Sequence, residues 1–301
     1  MNNISLAGSI VAIPTPFNDG RVDESGLRRL VEFHIKNGSS GIVPCGTTGE
    51  SATLTVDEHE RVVDVVVQAA AGRIKVIAGT GSNCTAEAVR LTKRSADLGV
   101  DGALIISPYY NRPTQDGLFG HYQAIAEAVD LPLVLYSIQS RTGVNIEPET
   151  VARLTKFRNI IGIKEASGNL VQMMEIRRLA GRNFQVTSGD DALTLPTLSI
   201  GGVGVISVLA NIIPRSVGKL IRLFQERQIT EAIALNEREI IPLVKLLFVE
   251  TNPVPVKTAM NLLGLIESPE VRLPLCPLSV EHFGFLRKKV EELREGFDST
   301  R

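Results

Sequence analysis

Short apolar runs rich in β-branched residues alternate with segments of helical periodicity along most of the chain. The runs lack the polar and apolar alternation of a half-exposed strand, which is typical of parallel strands buried on both faces. The eight predicted strands are Ser9–Ile13, Gly41–Cys45, Lys75–Gly79, Ala103–Ser107, Leu133–Tyr136, Ile160–Lys164, Phe184–Thr187 and Gly204–Val208.

The segments between these runs carry helix signals. Thr55 and Glu58 form a capping-box pattern ahead of an apolar helical face, and Pro148 and Gly181 stand where helices commonly begin and end. About eight strand-then-helix units predict a (β/α)₈ TIM barrel, an α/β fold with a parallel sheet. The competing open doubly wound sheet normally carries a glycine-rich turn after its first strand, where this chain has Pro14–Phe17.

The strand signal stops at Thr230, and helical periodicity continues from there to the end of the chain. We therefore expect a catalytic barrel over residues 1–228. Residues 229–301 are expected to form a C-terminal helical extension packed on the barrel, because no low-complexity linker separates the two.

Composition excludes several classes of function. The 301 residues are 44% hydrophobic and 22% charged, with a net charge of −1 and no basic stripe, which argues against nucleic acid and anionic membrane surfaces as partners. The cysteines Cys45, Cys84 and Cys276 are far apart, and the four histidines are equally dispersed, so we expect no disulfide framework and no metal site. No secretory signal or membrane-spanning run is evident, and we expect a cytoplasmic protein.

A single lysine, Lys164, ends an apolar strand-like run over residues 159–163. Burial disfavours the charged form of an amine, and a neutral amine is a nucleophile toward ketones and aldehydes. The alternative is a strand-end lysine whose stem packs in the interior while its ammonium group reaches water. The run by itself does not distinguish these two interpretations.

Polar residues gather at the carboxyl ends of the predicted strands, where the active site of a barrel lies. This coincidence favours a catalytic role for Lys164. The segments at these ends are Gly46–Glu50, Gly79–Gly81, Ser107–Tyr110, Tyr136–Ser137, Lys164–Glu165, Ser188–Asp191 and Ile206–Ser207.

Three features at or just beyond these strand ends have two interpretations each. The Gly46–Gly49 turn brings backbone N–H groups and two hydroxyls together, which suits a small carboxylate, although an ordinary βα turn would use the same residues. Tyr136 could relay protons beside an amine or be a core residue with a satisfied hydroxyl. Arg141 could pair with a substrate carboxylate or be a solvated loop residue.

Taken together, these residues resemble the dihydrodipicolinate synthase family, within the N-acetylneuraminate lyase superfamily of class I aldolases. The Lys164 and Gly46 motifs are shared across that superfamily, whereas the Tyr-Tyr-Asn-Arg-Pro and Ser-Arg-Thr-Gly motifs are more specific to the synthase. The resemblance runs nearly end to end and is carried by Gly8–Ile13, Gly46–Leu54, Pro108–Pro113, Ser140–Gly143, Gly162–Ala166, Ser188–Asp191 and Phe248–Pro253.

The resemblance implies an enzyme that condenses pyruvate with L-aspartate 4-semialdehyde to 4-hydroxy-tetrahydrodipicolinate, the first committed step of diaminopimelate and lysine biosynthesis. It implies no cofactor and a homotetramer built as a dimer of dimers. The implied roles are Schiff-base formation by Lys164, binding of the pyruvate carboxylate by Thr47 and Thr48, a proton relay of Tyr136, Thr48 and the Tyr110 of a neighbouring subunit, binding of the aldehyde's carboxylate by Arg141, and lining of the pocket by backbone groups of Gly189 and Ile206.

The family also has a feedback site for L-lysine at a subunit interface. The resemblance places Val56 where sensitive members often carry histidine, so we expect weaker inhibition than in a full match. The residues that match the pattern of this site are Ser51, Ala52, His59, Asn83, Glu87 and Tyr109.

Two departures leave other functions open. Ser137 and Gln139 stand where the family commonly has Asn and Pro. The loop that carries Arg141 therefore lacks the restraint of a proline, and we expect Gln139 to add an amide at the mouth of the pocket. One alternative is therefore a pyruvate-dependent aldolase or dehydratase of the same superfamily that acts on a sugar acid. Another is a non-catalytic relative that senses a keto acid or lysine, although the intact set of candidate catalytic residues argues against it.

Overall fold

A computed structural model describes residues 4–298, with side chains to residue 292. Its strands begin and end within two residues of those predicted from the sequence, apart from a small hairpin, β2–β3, that the pattern does not indicate. The strands of the described residues are β1 (Gly8–Ala12), β2 (Phe17–Asn18), β3 (Arg21–Val22), β4 (Gly41–Val43), β5 (Lys75–Gly79), β6 (Gly102–Ile106), β7 (Leu133–Ser137), β8 (Ile160–Glu165), β9 (Gln185–Ser188) and β10 (Gly204–Ser207).

Eight of these strands close into a parallel barrel in the order β1-β10-β9-β8-β7-β6-β5-β4. The predicted (β/α)₈ barrel with a C-terminal helical extension is therefore confirmed. The helices are α1 (Glu24–Lys36), α2 (Val56–Ala70), α3 (Thr85–Asp97), α4 (Gln115–Ala128), α5 (Gln139–Thr142), α6 (Pro148–Leu154), α7 (Leu170–Ala180), α8 (Thr194–Ser199), α9 (Pro214–Gln225), α10 (Ile229–Leu235), α11 (Ile241–Leu247), α12 (Val254–Leu262) and α13 (Val280–Asp298).

Two apolar layers hold the barrel together. A small cluster fills its interior and includes Leu6, Val134, Tyr136 and Ile206, whereas a much larger cluster lies between the strands and the surrounding helices. Because side chains alternate between the two faces of a strand, neighbouring residues on β7 enter different layers. Val134 and Tyr136 face inward, and Leu135 faces the helices.

Strand β8 departs from this alternation. Leu133 pairs with Ile160 and Val134 pairs with Gly162, so Ile161 is an extra residue that forms a β-bulge. Ile161 belongs to the interior cluster, and a Cβ added at Gly162 would also meet interior Leu6. The bulge therefore shifts the phase of the strand, and Lys164 faces the interior while Glu165 faces the helices.

The extension of α10–α13 follows a short break after α9, where the sequence predicts the boundary at residue 228. Helix α10 runs into α11 through a π-helical turn over Asn236–Ile240. Helix α12 lies against the carboxyl ends of the strands and carries Lys257, whose side chain is buried. Among the described residues, no helix is both long and apolar enough to span a bilayer.

Candidate active site

Lys164 lies inside the barrel near the carboxyl end of β8, and its side chain is only 5% exposed. Its Nζ lies 4.4 Å from the ring centroid of Tyr136, the residue with which it is paired in register on β7. Among the described residues, no atom hydrogen-bonds or forms an ion pair with this Nζ. The structure thus favours the interpretation of a buried amine over that of a lysine reaching into solvent.

Two more of the predicted residues border this amine from neighbouring strands. Gly189 follows β9, and a Cβ built there would approach the Cε atom of Lys164 to 3.0 Å, so the glycine leaves room for the lysine stem. Ile206 on β10 is fully buried in the interior cluster together with Tyr136. The barrel therefore brings Lys164, Tyr136, Gly189 and Ile206 together from four adjacent strands.

The turn that follows β4 carries the two candidate threonines. Backbone bonds from Glu50 N to the Thr47 carbonyl and from Ser51 N to the Gly46 carbonyl close the turn, at 3.1 and 3.4 Å. Thr15 Oγ1 donates to the Gly49 carbonyl at 2.7 Å. These bonds fix the turn against the loop that follows β1.

The two threonines face different surroundings. Thr47 borders a cavity of about 450 Å³ at the carboxyl ends of the strands. Thr48 is buried, and its Oγ1 accepts a hydrogen bond from Asn252 Nδ2 at 3.0 Å. Asn252 belongs to the extension and is not among the candidates indicated by the sequence.

Arg141 lies at the mouth of this same cavity, on the short helix α5. Its Nη2 donates to the backbone oxygen of Asn252 at 3.2 Å, and the side chain is otherwise exposed. A guanidinium group held in this way is available to pair with a carboxylate at the opening of the cavity.

The two departures from the family pattern lie away from the cavity. Ser137 faces the helices and is fully buried, where its Oγ donates to Asn145 Oδ1 at 3.0 Å. Gln139 begins α5, is exposed, and is not among the residues that line the cavity. The interpretation that Gln139 adds an amide to the mouth therefore has no support in the structure.

Tyr109 and Tyr110 are adjacent but point to different places. Tyr109 lines the cavity, whereas Tyr110 is 90% exposed and makes no contact with Lys164 within this chain. Tyr110 also has a φ of 74°, a left-handed conformation that costs free energy in a bulky residue. The structure therefore does not bring Tyr110 to Tyr136 within one chain.

Most of the residues predicted to bind lysine line the same cavity as Thr47 and Arg141, and Val56 lies beside them. Asn83 is the exception, since it is not among the lining residues, and its carbonyl accepts a hydrogen bond from Asn111. The predicted residues on the wall are Ser51, Ala52, His59, Glu87 and Tyr109.

Two of these residues have defined polar partners. His59 is buried and its Nε2 donates to the Gly79 carbonyl at 2.7 Å, while burial lowers the pKa of its imidazole. Ser82 donates to Glu87 at 2.5 Å. Burial therefore disfavours the charged form of the His59 imidazole, and the Ser82 contact orients the Glu87 carboxylate.

A second buried lysine stabilises the loop that carries the threonines. Lys257 Nζ forms an ion pair with Glu50 Oε1 at 2.7 Å and donates to the Thr15 carbonyl at 2.9 Å. Burial lowers the pKa of Lys257, and the charge of Glu50 opposes that shift. The sequence gives no sign of this pair, because Lys257 and Glu50 are far apart in the chain.

The chain matches the model of the Dihydrodipicolinate synthetase family over residues 5–293. It is 56% identical to the 4-hydroxy-tetrahydrodipicolinate synthase of Syntrophus aciditrophicus over 268 residues, which are 89% of this chain and 91% of that protein. The crystal structure of dihydrodipicolinate synthase from Aquifex aeolicus superposes with a TM-score of 0.94 at 48% identity, covering 96% of this chain and 98% of that one.

Two other solved structures are described with ligands. The Acinetobacter baumannii dihydrodipicolinate synthase complexed with pyruvate has a TM-score of 0.92 at 44% identity, over 95% of this chain and 98% of that one. The Cyanidioschyzon merolae enzyme with lysine bound has a TM-score of 0.90 at 43% identity, over 94% of this chain and 96% of that one. The family predicted from the sequence is confirmed: the chain belongs to the Dihydrodipicolinate synthetase family.

Proposed function

We propose that the chain is a Schiff-base-forming synthase that condenses pyruvate with L-aspartate 4-semialdehyde to 4-hydroxy-tetrahydrodipicolinate. The observation that carries the proposal is the buried amine of Lys164, which faces the barrel interior beside Tyr136 without an ionic partner among the described residues. The relatives that bear this activity by name cover nearly the whole chain. The activity belongs to the first committed step of diaminopimelate and lysine biosynthesis.

The pyruvate half of the site is formed by the barrel. Thr47 and Thr48, in the turn after β4, would bind the carboxylate through hydroxyl and backbone N–H groups. Lys164 would receive the keto carbon, with backbone groups of Gly189 and Ile206 lining the space around it. Support for pyruvate as ligand comes from the Acinetobacter baumannii enzyme, whose solved structure is described as a pyruvate complex.

The chemistry requires an amine and a proton relay. The Lys164 amine adds to the keto carbon of pyruvate and water leaves, which gives an imine. The protonated imine acidifies the adjacent methyl group, and loss of a proton from that group gives an enamine. Tyr136 is the candidate to carry these protons through its hydroxyl, and the centroid of its ring lies 4.4 Å from the Lys164 nitrogen.

The second half of the reaction occurs toward the mouth of the site. The enamine carbon bonds to the aldehyde carbon, whose oxygen takes up a proton and becomes a hydroxyl. The amino group of the adduct then adds to the imine carbon and displaces Lys164, which closes the ring and frees the enzyme. Arg141 would bind the carboxylate of the aldehyde. Neither Ser137 nor Gln139 lines the cavity, so these two departures from the family pattern give no support to a sugar acid as substrate.

A complete relay of Tyr136, Thr48 and Tyr110 would need a second copy of the chain. Tyr110 is 90% exposed and adopts a left-handed backbone, so its position suits a residue that enters the site of a neighbour. We therefore propose a homo-oligomer, as a tetramer formed from two dimers. Light scattering of wild type and Tyr110→Phe would separate loss of assembly from loss of the hydroxyl. The variant should keep the molecular mass of the wild-type assembly, because it lacks only the hydroxyl.

L-lysine is the proposed effector at the wall lined by His59, Glu87 and Tyr109. Glu87 would pair with an amino group of the effector, and the lysine-bound Cyanidioschyzon merolae enzyme is a relative with this ligand. Val56 supplies no polar group, so inhibition should need a higher lysine concentration than in a relative with histidine there. Val56→His should lower the inhibitory concentration of lysine in steady-state assays.

The deciding experiment is a coupled assay with pyruvate and L-aspartate 4-semialdehyde, which follows consumption of the product by its reductase. Wild type should turn over, and Lys164→Ala should be inactive. Borohydride should trap pyruvate on wild type and leave Lys164→Ala unmodified by mass. Trapping without turnover would redirect the aldehyde half toward sugar acids, whereas absence of both would favour a non-catalytic sensor.

A further inference from the structure

Asn252, in the extension, forms hydrogen bonds with both candidate halves of the site. Its Nδ2 donates to Thr48 Oγ1 at 3.0 Å, and its backbone oxygen accepts from Arg141 Nη2 at 3.2 Å. The residue is 5% exposed and borders the cavity. It therefore lies between the threonine turn and the arginine at the mouth.

The amide group of Asn252 sets the direction of a hydrogen bond. An amide NH₂ can only donate, so the Thr48 oxygen must accept from it. A hydroxyl has one hydrogen, and in this arrangement the hydrogen of Thr48 is left for another acceptor. In the proposed reaction that acceptor would be the pyruvate carboxylate or a member of the relay.

The other atom of the same amide indicates that the residue serves more than stability. Asn252 Oδ1 is buried and has no hydrogen-bond partner among the described residues. An unpaired buried acceptor costs free energy that an apolar side chain of similar size would avoid. The retained amide is explained if the donor atom has a function toward Thr48.

The position of Asn252 is fixed by the start of α12. Lys257 N donates to the Pro253 carbonyl at 3.0 Å, and the Lys257 side chain is paired with Glu50, two residues beyond Thr48. The segment that carries Asn252 and the turn that carries Thr48 are thus joined at two points. This double connection restricts movement of the amide relative to the hydroxyl.

We infer that Asn252 is a positioning residue, which orients the Thr48 hydroxyl toward pyruvate and holds Arg141 at the mouth. The inference rests on the proposed function, because it assigns Thr48 to pyruvate and Arg141 to the aldehyde. It makes the extension a component of the active site rather than a support for the barrel. The residue acts through Thr48 and Arg141 and does not itself touch the reacting atoms.

The test measures the pyruvate concentration dependence of borohydride trapping and of turnover in Asn252→Ala and Asn252→Asp. The alanine variant keeps the backbone oxygen for Arg141 and loses the donor, so kcat/KM for pyruvate should fall about tenfold, with a smaller change in KM for the aldehyde. The side chain of the aspartate variant has the same shape, but its carboxylate can only accept hydrogen bonds, so its kcat/KM for pyruvate should be lower still. It also carries the test if the alanine variant does not fold.

Asn236→Ala is the matched control, because Asn236 also lies in the extension and also has an unpaired buried Oδ1. Its kinetic constants should equal those of wild type, whatever its melting temperature. Values of kcat/KM for pyruvate within twofold of wild type in both Asn252 variants would overturn the role of Asn252 and leave the proposed function standing. Wild type that does not trap pyruvate would overturn the proposed function and, with it, this inference.

Discussion

The barrel interior and the contact between barrel and extension each contain a buried lysine, in opposite surroundings. Lys164 has an aromatic ring at 4.4 Å and no ionic partner among the described residues. Lys257 has a carboxylate at 2.7 Å, a carbonyl at 2.9 Å and the ring of Phe17 at 4.3 Å. Residue type and burial are alike, so the difference lies in the atoms around the nitrogen.

This difference distinguishes the candidate nucleophile from a structural cation. A paired ammonium group is satisfied in its charged form, and removal of its partner leaves a buried charge alone. An amine without a carboxylate has a nitrogen that remains free to attack a carbonyl carbon. Pairing, rather than burial, is therefore the feature that distinguishes the two lysines.

The largest expected effect is the loss of activity in Lys164→Met, a substitution that roughly conserves volume. Turnover should fall by on the order of 10⁴-fold or more, because the substitution removes the amine that is proposed to form the imine. The free energy of unfolding should stay within about 1 kcal/mol of wild type or rise, because no partner is left unpaired. Calorimetry and the coupled assay measure the two quantities, and a marked loss of stability would contradict the comparison.

Lys257→Met should have the opposite profile. It leaves Glu50 buried without a counter-ion, so the free energy of unfolding should fall by about 3–5 kcal/mol. Folded protein below its transition temperature should still trap pyruvate with borohydride. Denaturant titration gives the stability, and the trapped fraction gives the integrity of the amine.

The double variant Glu50→Gln with Lys257→Met sharpens that result. Removing both charges should recover about 1–3 kcal/mol relative to the sum of the single substitutions, since neither variant group is then a lone buried ion. Strictly additive losses in denaturant titration would mean that the pair is not the source of the stability.

A smaller effect is expected at the rim of the same contact, where Arg272 binds Glu58 through two nitrogens at 2.6 and 2.7 Å. The Arg272 guanidinium lowers the pKa of Glu58 to about 2. Stability from this pair is present above the usual carboxyl pKa near 4.5 and is lost as pH falls toward 2. Glu58→Gln should be about 1 kcal/mol less stable at pH 7, and the gap in melting temperature should close in acid.

The smallest effect is expected at Glu165, which is next to Lys164 but faces the helices. Burial raises the pKa of this carboxyl, and one of its oxygens has no partner among the described residues. A raised pKa means that the folded state binds this proton more tightly than the unfolded chain does, so the free energy of unfolding falls as pH rises from the usual carboxyl pKa through the raised one. Glu165→Gln should gain stability over wild type as pH increases, with unchanged borohydride trapping.

The strands were predictable because their signals are local, and Lys164 was a candidate because it lies within one of them. Each buried strand is a short apolar run, and the lysine stands out within one of them. The barrel fold then places the carboxyl ends of all strands together, so the placement of Thr47 and Tyr136 at one end of the barrel followed from topology, whereas their proposed roles came from the family resemblance.

The contacts made by the extension were not predictable, because their signals are not local. Asn252 reaches Thr48 across 204 residues of chain, and Lys257 reaches Glu50 across 207. In the sequence Lys257 resembles an ordinary helical lysine with a solvated head. A one-dimensional pattern also cannot show that Ser137 and Gln139 lie away from the cavity.

The bulge in β8 has a consequence for transplanting this site into other proteins. In a regularly pleated strand that keeps Ile160 toward the helices, Ile161, Ile163 and Glu165 would share the opposite face. Grafting the six residues of β8 onto such a strand would present a carboxyl to the host's interior and turn the amine outward. A graft would therefore have to reproduce the irregular pairing of β8 with its neighbour, as well as its six residues, for the amine to face the host's interior.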